Sequence, residues 1–131
     1  MLRKLHLRYA LFAVLWMTLI FWFSDQPKLF YLPDSLLDTL FKKSAHAFAY
    51  GVLWFLWWRA TGRRTWVALA ITVLYAMSDE YHQTFVPGRH GQPFDVGVDA
   101  IGALLAIAIT HSPWGKRVSS PLWGDQNIRG D

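Results

Sequence analysis

The sequence predicts an all-α integral membrane protein, a four-helix bundle with both termini cytoplasmic, and three observations carry that expectation. Apolar residues make up 53% of a 131-residue chain that holds eight Trp. They fall into four blocks instead of alternating with period two or following one amphipathic stripe. The charges lie almost entirely between the blocks. A soluble bundle of this length built from helices apolar on all sides would have almost no polar face.

The first block, residues 9–23, follows Arg3, Lys4 and Arg8, a basic flank that also opens secretory signals. It ends in Phe21, Trp22, Phe23, Ser24 and Asp25, where a signal peptidase needs small residues, so it reads as an uncleaved first helix. The second block, residues 45–58, follows Lys42 and Lys43 and ends at Arg59. The third, residues 65–77, starts after Gly62, Arg63 and Arg64 and runs into Ser78, Asp79 and Glu80. The fourth begins near Asp95 and stays apolar to Thr110, with His111, Ser112 and Pro113 closing it. Each block is shorter than the roughly 20 apolar residues that span a bilayer, so each helix must extend into its polar flanks or thin the bilayer locally. Residues 1–111 thus form the transmembrane domain. Residues 112–131, polar and turn-rich, read as a flexible cytoplasmic tail.

Lysine and arginine orient such a bundle, because cytoplasmic flanks carry the excess of positive charge. Nine fall on one side: Arg3, Lys4, Arg8, Arg59, Arg63, Arg64, Lys116, Arg117 and Arg129. Four fall on the other: Lys28, Lys42, Lys43 and Arg89. Both termini are therefore expected inside, with the loops around residues 24–44 and 78–95 facing outward, and the location is a bacterial inner membrane crossed several times. Short basic clusters flanking apolar blocks are topology determinants, so the formal charge of +4 does not point to nucleic acid. The absence of cysteine excludes disulfides and thiolate metal sites.

With that topology three polar stripes meet at the outer face. Lys43, His46 and Tyr50 stand at i, i+3, i+7 at the start of the second helix. Asp79, Glu80, His82 and Gln83 end the third, with Asp79–His82 and Glu80–Gln83 as i, i+3 pairs, before Pro87, Gly88 and Arg89 break it. Asp95, Asp99 and Gly102 stand at i, i+4, i+7 at the start of the fourth. Ionisable groups at membrane depth cost several kcal/mol unless paired or hydrated, so they mark a functional site. Asp99 and His46 lie about one turn inside their blocks. The small residues Ala45, Ala47, Ala49 and Gly51, and Gly97, Ala100, Gly102 and Ala103, permit close contact between the second and fourth helices.

In this ordered set, Lys43, His46 and Tyr50, then Asp79-Glu80, His82-Gln83, Phe85 and Pro87-Gly88-Arg89, then Asp95, Asp99 and Gly102, the chain resembles the VanZ-like membrane proteins. The resemblance runs from Ser24 to about Leu105. It implies a cell-envelope protein; the family is named for an accessory protein of glycopeptide resistance that lowers susceptibility to teicoplanin. The family often carries Asn where this chain has Asp99, so a carboxylate here replaces an amide.

Two chemistries fit these residues. As a recognition site for an anionic or polar ligand, a lipid headgroup or lipid-linked wall precursor, Lys43 and Arg89 hold the anion. The Pro87-Gly88 turn presents the Arg89 guanidinium fork. His46, Asp79, Glu80, His82, Asp95 and Asp99 then handle hydrogen bonds and protons, with Tyr50 and Gln83 lining the site. As a hydrolase or transferase acting on such a headgroup, His82 is the base and the acids orient it or hold a metal. The nitrogen and oxygen donors suit zinc or manganese, although no double-His i, i+4 pair is present, and the cofactor is left open. Ser44 and Ser78 sit in no nucleophile motif. A structural alternative has the cluster locking the bundle, with Lys43 and Tyr50 as interfacial anchors. The run Trp54, Phe55, Trp57, Trp58 reads as lipid-facing or interfacial packing, and His90 as a solvated loop residue.

Overall fold

The computed structural model describes residues 6–25, 35–87, 93–113 and 115. These form four helices, α1 (Leu7–Asp25), α2 (Ser35–Ala60), α3 (Thr65–Gln83) and α4 (Pro93–His111), and no strand occurs among the described residues. All four apolar blocks are helical, and each helix runs past its block into polar flanks. The largest extension is α2, which starts ten residues before its apolar block. The loop expected over residues 24–44 is therefore largely helix. Leu36, Leu37, Leu40 and Phe41 supply helix-forming side chains there, and Asp38 and Lys42 close an i, i+4 ion pair at 2.7 Å. Helix α3 likewise carries Asp79, Glu80, His82 and Gln83 within its last turns and ends before Pro87. Arg89, His90 and most of the residues after 111 lie outside the described residues.

Side-chain contacts fix the helix directions. Trp16 of α1 donates to the Ala49 carbonyl of α2 at 2.9 Å, and the His6 amide beside it donates to Ala60 at 3.0 Å, so α1 and α2 run antiparallel. Lys43 meets Asp95 and His46 meets Asp99, so α2 and α4 run parallel. Tyr75 donates to the Met17 carbonyl at 2.6 Å and Ser24 meets Asp79, so α1 and α3 are also parallel. The result is an up-and-down bundle. The start of α1 and the end of α4 lie at one end; the start of α2 and α4 and the end of α1 and α3 lie at the other.

The cross-section is a diamond. Helices α2 and α3 pack on each other and on both remaining helices, whereas α1 and α4 make no contact among the described residues. The outer pair are the two helices long and apolar enough to cross a membrane by length and composition. Their outward surface is a band of exposed Leu11, Phe12, Leu15, Leu19 and Trp22 on α1 and Ile101, Leu104, Leu105 and Ile109 on α4. An apolar surface of this extent marks a site of membrane or protein contact. Helices α2 and α3 fall short of that measure because Asp38, Lys42 and Lys43, and Asp79 and Glu80, interrupt them.

Two features set the spacing inside the bundle. At the α2–α4 crossing the backbones touch: a Cβ on Gly102 would stand 2.0 Å from the Ala47 carbonyl oxygen, and one on Gly51 would stand 3.1 Å from the Gly102 oxygen. The small residues seen in the sequence make this approach possible. At the termini end, Trp54 and Trp58 are buried at 0% and 4% exposure against Ala68 and Ala103. These two rings are core, not the lipid-facing or interfacial packing expected of the whole aromatic run. Small residues on α3 and α4 leave a hollow opposite them, and the i, i+4 spacing stacks the rings at 5.6 Å.

Candidate functional site

At the other end of the bundle lies a cavity of about 670 Å³, lined by all four helices. Apolar walls come from Leu19, Ile20 and Phe23 of α1, Phe48 and Ala49 of α2 and Val98 of α4. Polar groups enter from every side: Ser24, then Lys42, Lys43, His46 and Tyr50, then Glu80 and Gln83, then Asp95 and Asp99. The cavity is a half-open cleft, since Phe48, Phe23 and Leu19 are also exposed on its outer side, and an apolar cleft with a few convergent polar groups is a common form of ligand site. The i, i+3, i+7 stripe of α2 and the start of α4 converge as their spacing requires.

The polar groups form three layers. At the mouth, Lys43 Nζ meets Asp95 Oδ1 at 3.1 Å and lies over the Phe94 ring at 4.6 Å, with both side chains of the ion pair partly exposed. One turn deeper, His46 Nδ1 stands 3.3 Å from Asp99 Oδ1. Asp99 is wholly buried at 0% exposure, and its second oxygen has no hydrogen-bond partner. Behind these, Asp79 Oδ2 accepts from Ser24 Oγ at 2.9 Å, Tyr50 Oη at 3.0 Å and Gln83 Nε2 at 3.4 Å, while Oδ1 is buried and unpartnered. The His46 and Tyr50 rings stack at 6.2 Å and join the second layer to the third.

Glu80 is buried and comes close to the middle layer. One ligating atom each of His46, Glu80 and Asp99 lie within 4.8 Å of one another. Gln83 pairs with Asp79 and Ser24. His82 faces elsewhere: its Nε2 stands 3.1 Å from Asp25 Oδ1, its ring packs on Phe21 at 4.5 Å, and it is not among the residues lining the cavity. The expected Asp79–His82 and Glu80–Gln83 pairs are thus replaced by Gln83–Asp79, at i, i+4, and by His82–Asp25 between helices. The arrangement can accept hydrogen bonds at Asp99, exchange a proton between His46 and Asp99, and offer at the mouth a lysine that exchanges Asp95 for another anion.

Sequence reasoning passed over two contributors. Ser24 is buried and bonds both Asp79 and Gln83; a lone hydroxyl ending an apolar block was its only mark. Tyr75, four residues before Asp79, braces α1 through Met17 and approaches the Tyr50 ring at 6.2 Å.

No curated protein and no solved structure is a significant match to the chain. The profile of the VanZ/LLP1 family matches residues 9–113, from the first turn of α1 to just past the end of α4, so it takes in the whole bundle and every described residue of the cavity. The chain belongs to the VanZ/LLP1 family.

Proposed function

We propose that the protein is a VanZ-like envelope protein of the bacterial inner membrane, with four spans and both termini inside. In this reading its cavity binds the phosphate-bearing polar head of a membrane lipid or lipid-linked wall precursor at the outer leaflet. Family membership supports the envelope protein, and the apolar bands of α1 and α4 support the membrane. The orientation rests on charge: Arg8, Arg59, Arg63 and Arg64 gather at the end where the described chain begins and ends, and Lys42 and Lys43 at the other. The observation that carries the ligand class is the layered cavity, with the Lys43–Asp95 ion pair at its mouth, hydrogen-bonding groups at its floor and apolar walls. A lipid head sitting at the interface has that same sequence of chemistry: a phosphate that replaces Asp95 as the partner of Lys43, donor groups for Asp99, and an acyl region for Phe23, Phe48 and Leu19. Arg89, the second expected anion contact, lies outside the described residues. Any effect on teicoplanin susceptibility would be a consequence of such binding.

Lipid binding to the purified protein, followed by native mass spectrometry, tests this. Phosphatidylglycerol and a polyprenyl phosphate are expected to bind, with Lys43→Ala weakening both by about tenfold, the worth of one charge-assisted contact. Neutral diacylglycerol binding as well as either phosphate lipid would sink the proposal.

A further inference from the structure

We infer that His46, Glu80 and Asp99 form a binding site for a single divalent cation of the zinc and manganese class. This goes beyond the headgroup reading and does not depend on it. Three helices supply one ligating atom each, all within 4.8 Å of one another. Three donors on one tetrahedral ion at about 2.0–2.2 Å stand about 3.3–3.6 Å apart, so a pair at the outer limit of the set closes on an ion by about an ångström of side-chain movement. Calcium accepts longer distances but takes oxygen donors, and the imidazole favours a borderline metal.

The second observation is independent of the clustering. Asp99 is wholly buried, lines the cavity, and has Oδ2 without a hydrogen-bond partner, although a buried carboxylate oxygen needs one. Its other oxygen meets only the long 3.3 Å contact to His46. A cation among the three groups would give Asp99 its missing partner. The outward side of the three donors is open to the cavity, so further coordination positions stay available to water or a ligand oxygen, as in metal sites that bind a substrate.

The test uses the full chain purified in detergent, stripped with chelator and titrated calorimetrically with zinc chloride or manganese chloride alone. One ion per chain is expected. His46→Ala and Glu80→Gln, each confirmed folded by circular dichroism, should weaken binding by at least about tenfold. His82→Ala removes the competing His82–Asp25 pair and should leave affinity unchanged. Cobalt(II) provides a second readout, visible bands that appear with the wild-type and His82→Ala proteins and vanish with His46→Ala. Failure of the folded wild-type protein to bind either metal overturns the site, as does binding that survives His46→Ala or is lost with His82→Ala. Because no lipid is added, none of these outcomes bears on headgroup binding.

Discussion

Replacing Gly102 by Ala should loosen the bundle where the parallel helices α2 and α4 touch backbone to backbone. The new Cβ would stand 2.0 Å from the Ala47 carbonyl oxygen and 2.6 Å from its carbon, and Cβ atoms essentially never come within 3.0 Å of a heavy atom. Helix α4 must therefore move away from α2 by at least the difference, 3.0 − 2.0 = 1.0 Å. Overpacking of this kind costs about 1–3 kcal/mol. His46 and Asp99 lie one turn away on the same pair of helices, and their 3.3 Å contact has no slack, which adds about 1 kcal/mol for a lost hydrogen bond. Against this, Ala gains about 0.5–1 kcal/mol over Gly in a helix. The net loss is roughly 1–3 kcal/mol, a fall of several degrees in midpoint temperature. Thermal unfolding of the detergent-solubilised protein followed by near-ultraviolet circular dichroism measures it, with Trp54 and Trp58 reporting from the core.

A graded series makes the argument refutable. Gly97→Ala meets nothing within 4 Å and should be neutral or slightly stabilising. Gly51→Ala, at 3.1 Å from the Gly102 oxygen, should fall between the two. Ala47→Gly should not rescue Gly102→Ala, because the atoms in the way are Ala47 backbone. If Gly102→Ala unfolds at the temperature of Gly97→Ala, or if Ala47→Gly restores it, the close backbone contact is not what sets the helix spacing.

Three further outcomes are expected. Tyr50→Phe and Ser24→Ala each remove one donor from Asp79 Oδ2 and should cost about 1–2 kcal/mol in the same melt. Their double mutant should be non-additive, because both serve one acceptor; simple additivity would mean that Asp79 is not their common partner. Lys42→Ala should cost less than about 1 kcal/mol, since its pair with Asp38 is partly solvated, and a larger loss would show that α2 depends on that pair for its first turns. The natural chain has no cysteine, so Leu40→Cys and Arg64→Cys report the orientation. A membrane-impermeant maleimide should label the first and spare the second in intact cells, and the reverse result would invert the topology.

The helical fold was legible because four apolar blocks separated by charged residues leave little but helices to form, although among the described residues only α1 and α4 combine the length and hydropathy of a membrane span. The helix ends were not, since the polar stretch Ser35–Ser44 becomes helical through an i, i+4 ion pair and scattered leucines that block-counting ignores. Within the site, spacing placed Lys43, His46 and Tyr50 on one stripe, and the structure lines the cavity with all three. Spacing along one helix could not say which helix each acid faces. His82 sits among Asp79, Glu80 and Gln83 in sequence, yet its ring turns to Phe21 and Asp25 of α1, a contact no single-helix pattern encodes. Ser24 escaped for the same reason: its partners are more than fifty residues away.

Whether the polar cluster is a site or only a lock between helices can be decided by an asymmetry in its burial. Asp99 is wholly buried, whereas the His46 side chain is 27% exposed. Removing His46 leaves a buried carboxylate with neither oxygen partnered, and breaking a buried pair in this way costs about 3–5 kcal/mol. Removing Asp99 instead leaves an imidazole that still reaches solvent, so Asp99→Leu should cost clearly less than His46→Ala. Replacing both members by apolar residues, His46→Phe with Asp99→Leu, abolishes the buried charge and should bring stability back to within about 1 kcal/mol of the natural protein. A pair that only locked the bundle would then have been replaced without functional consequence. Headgroup and metal binding, which need the polar atoms themselves, should stay lost in the restored protein. A double mutant as unstable as His46→Ala would show that the burial argument is wrong; one that is stable and still binds phosphate lipid would remove His46 and Asp99 from the site.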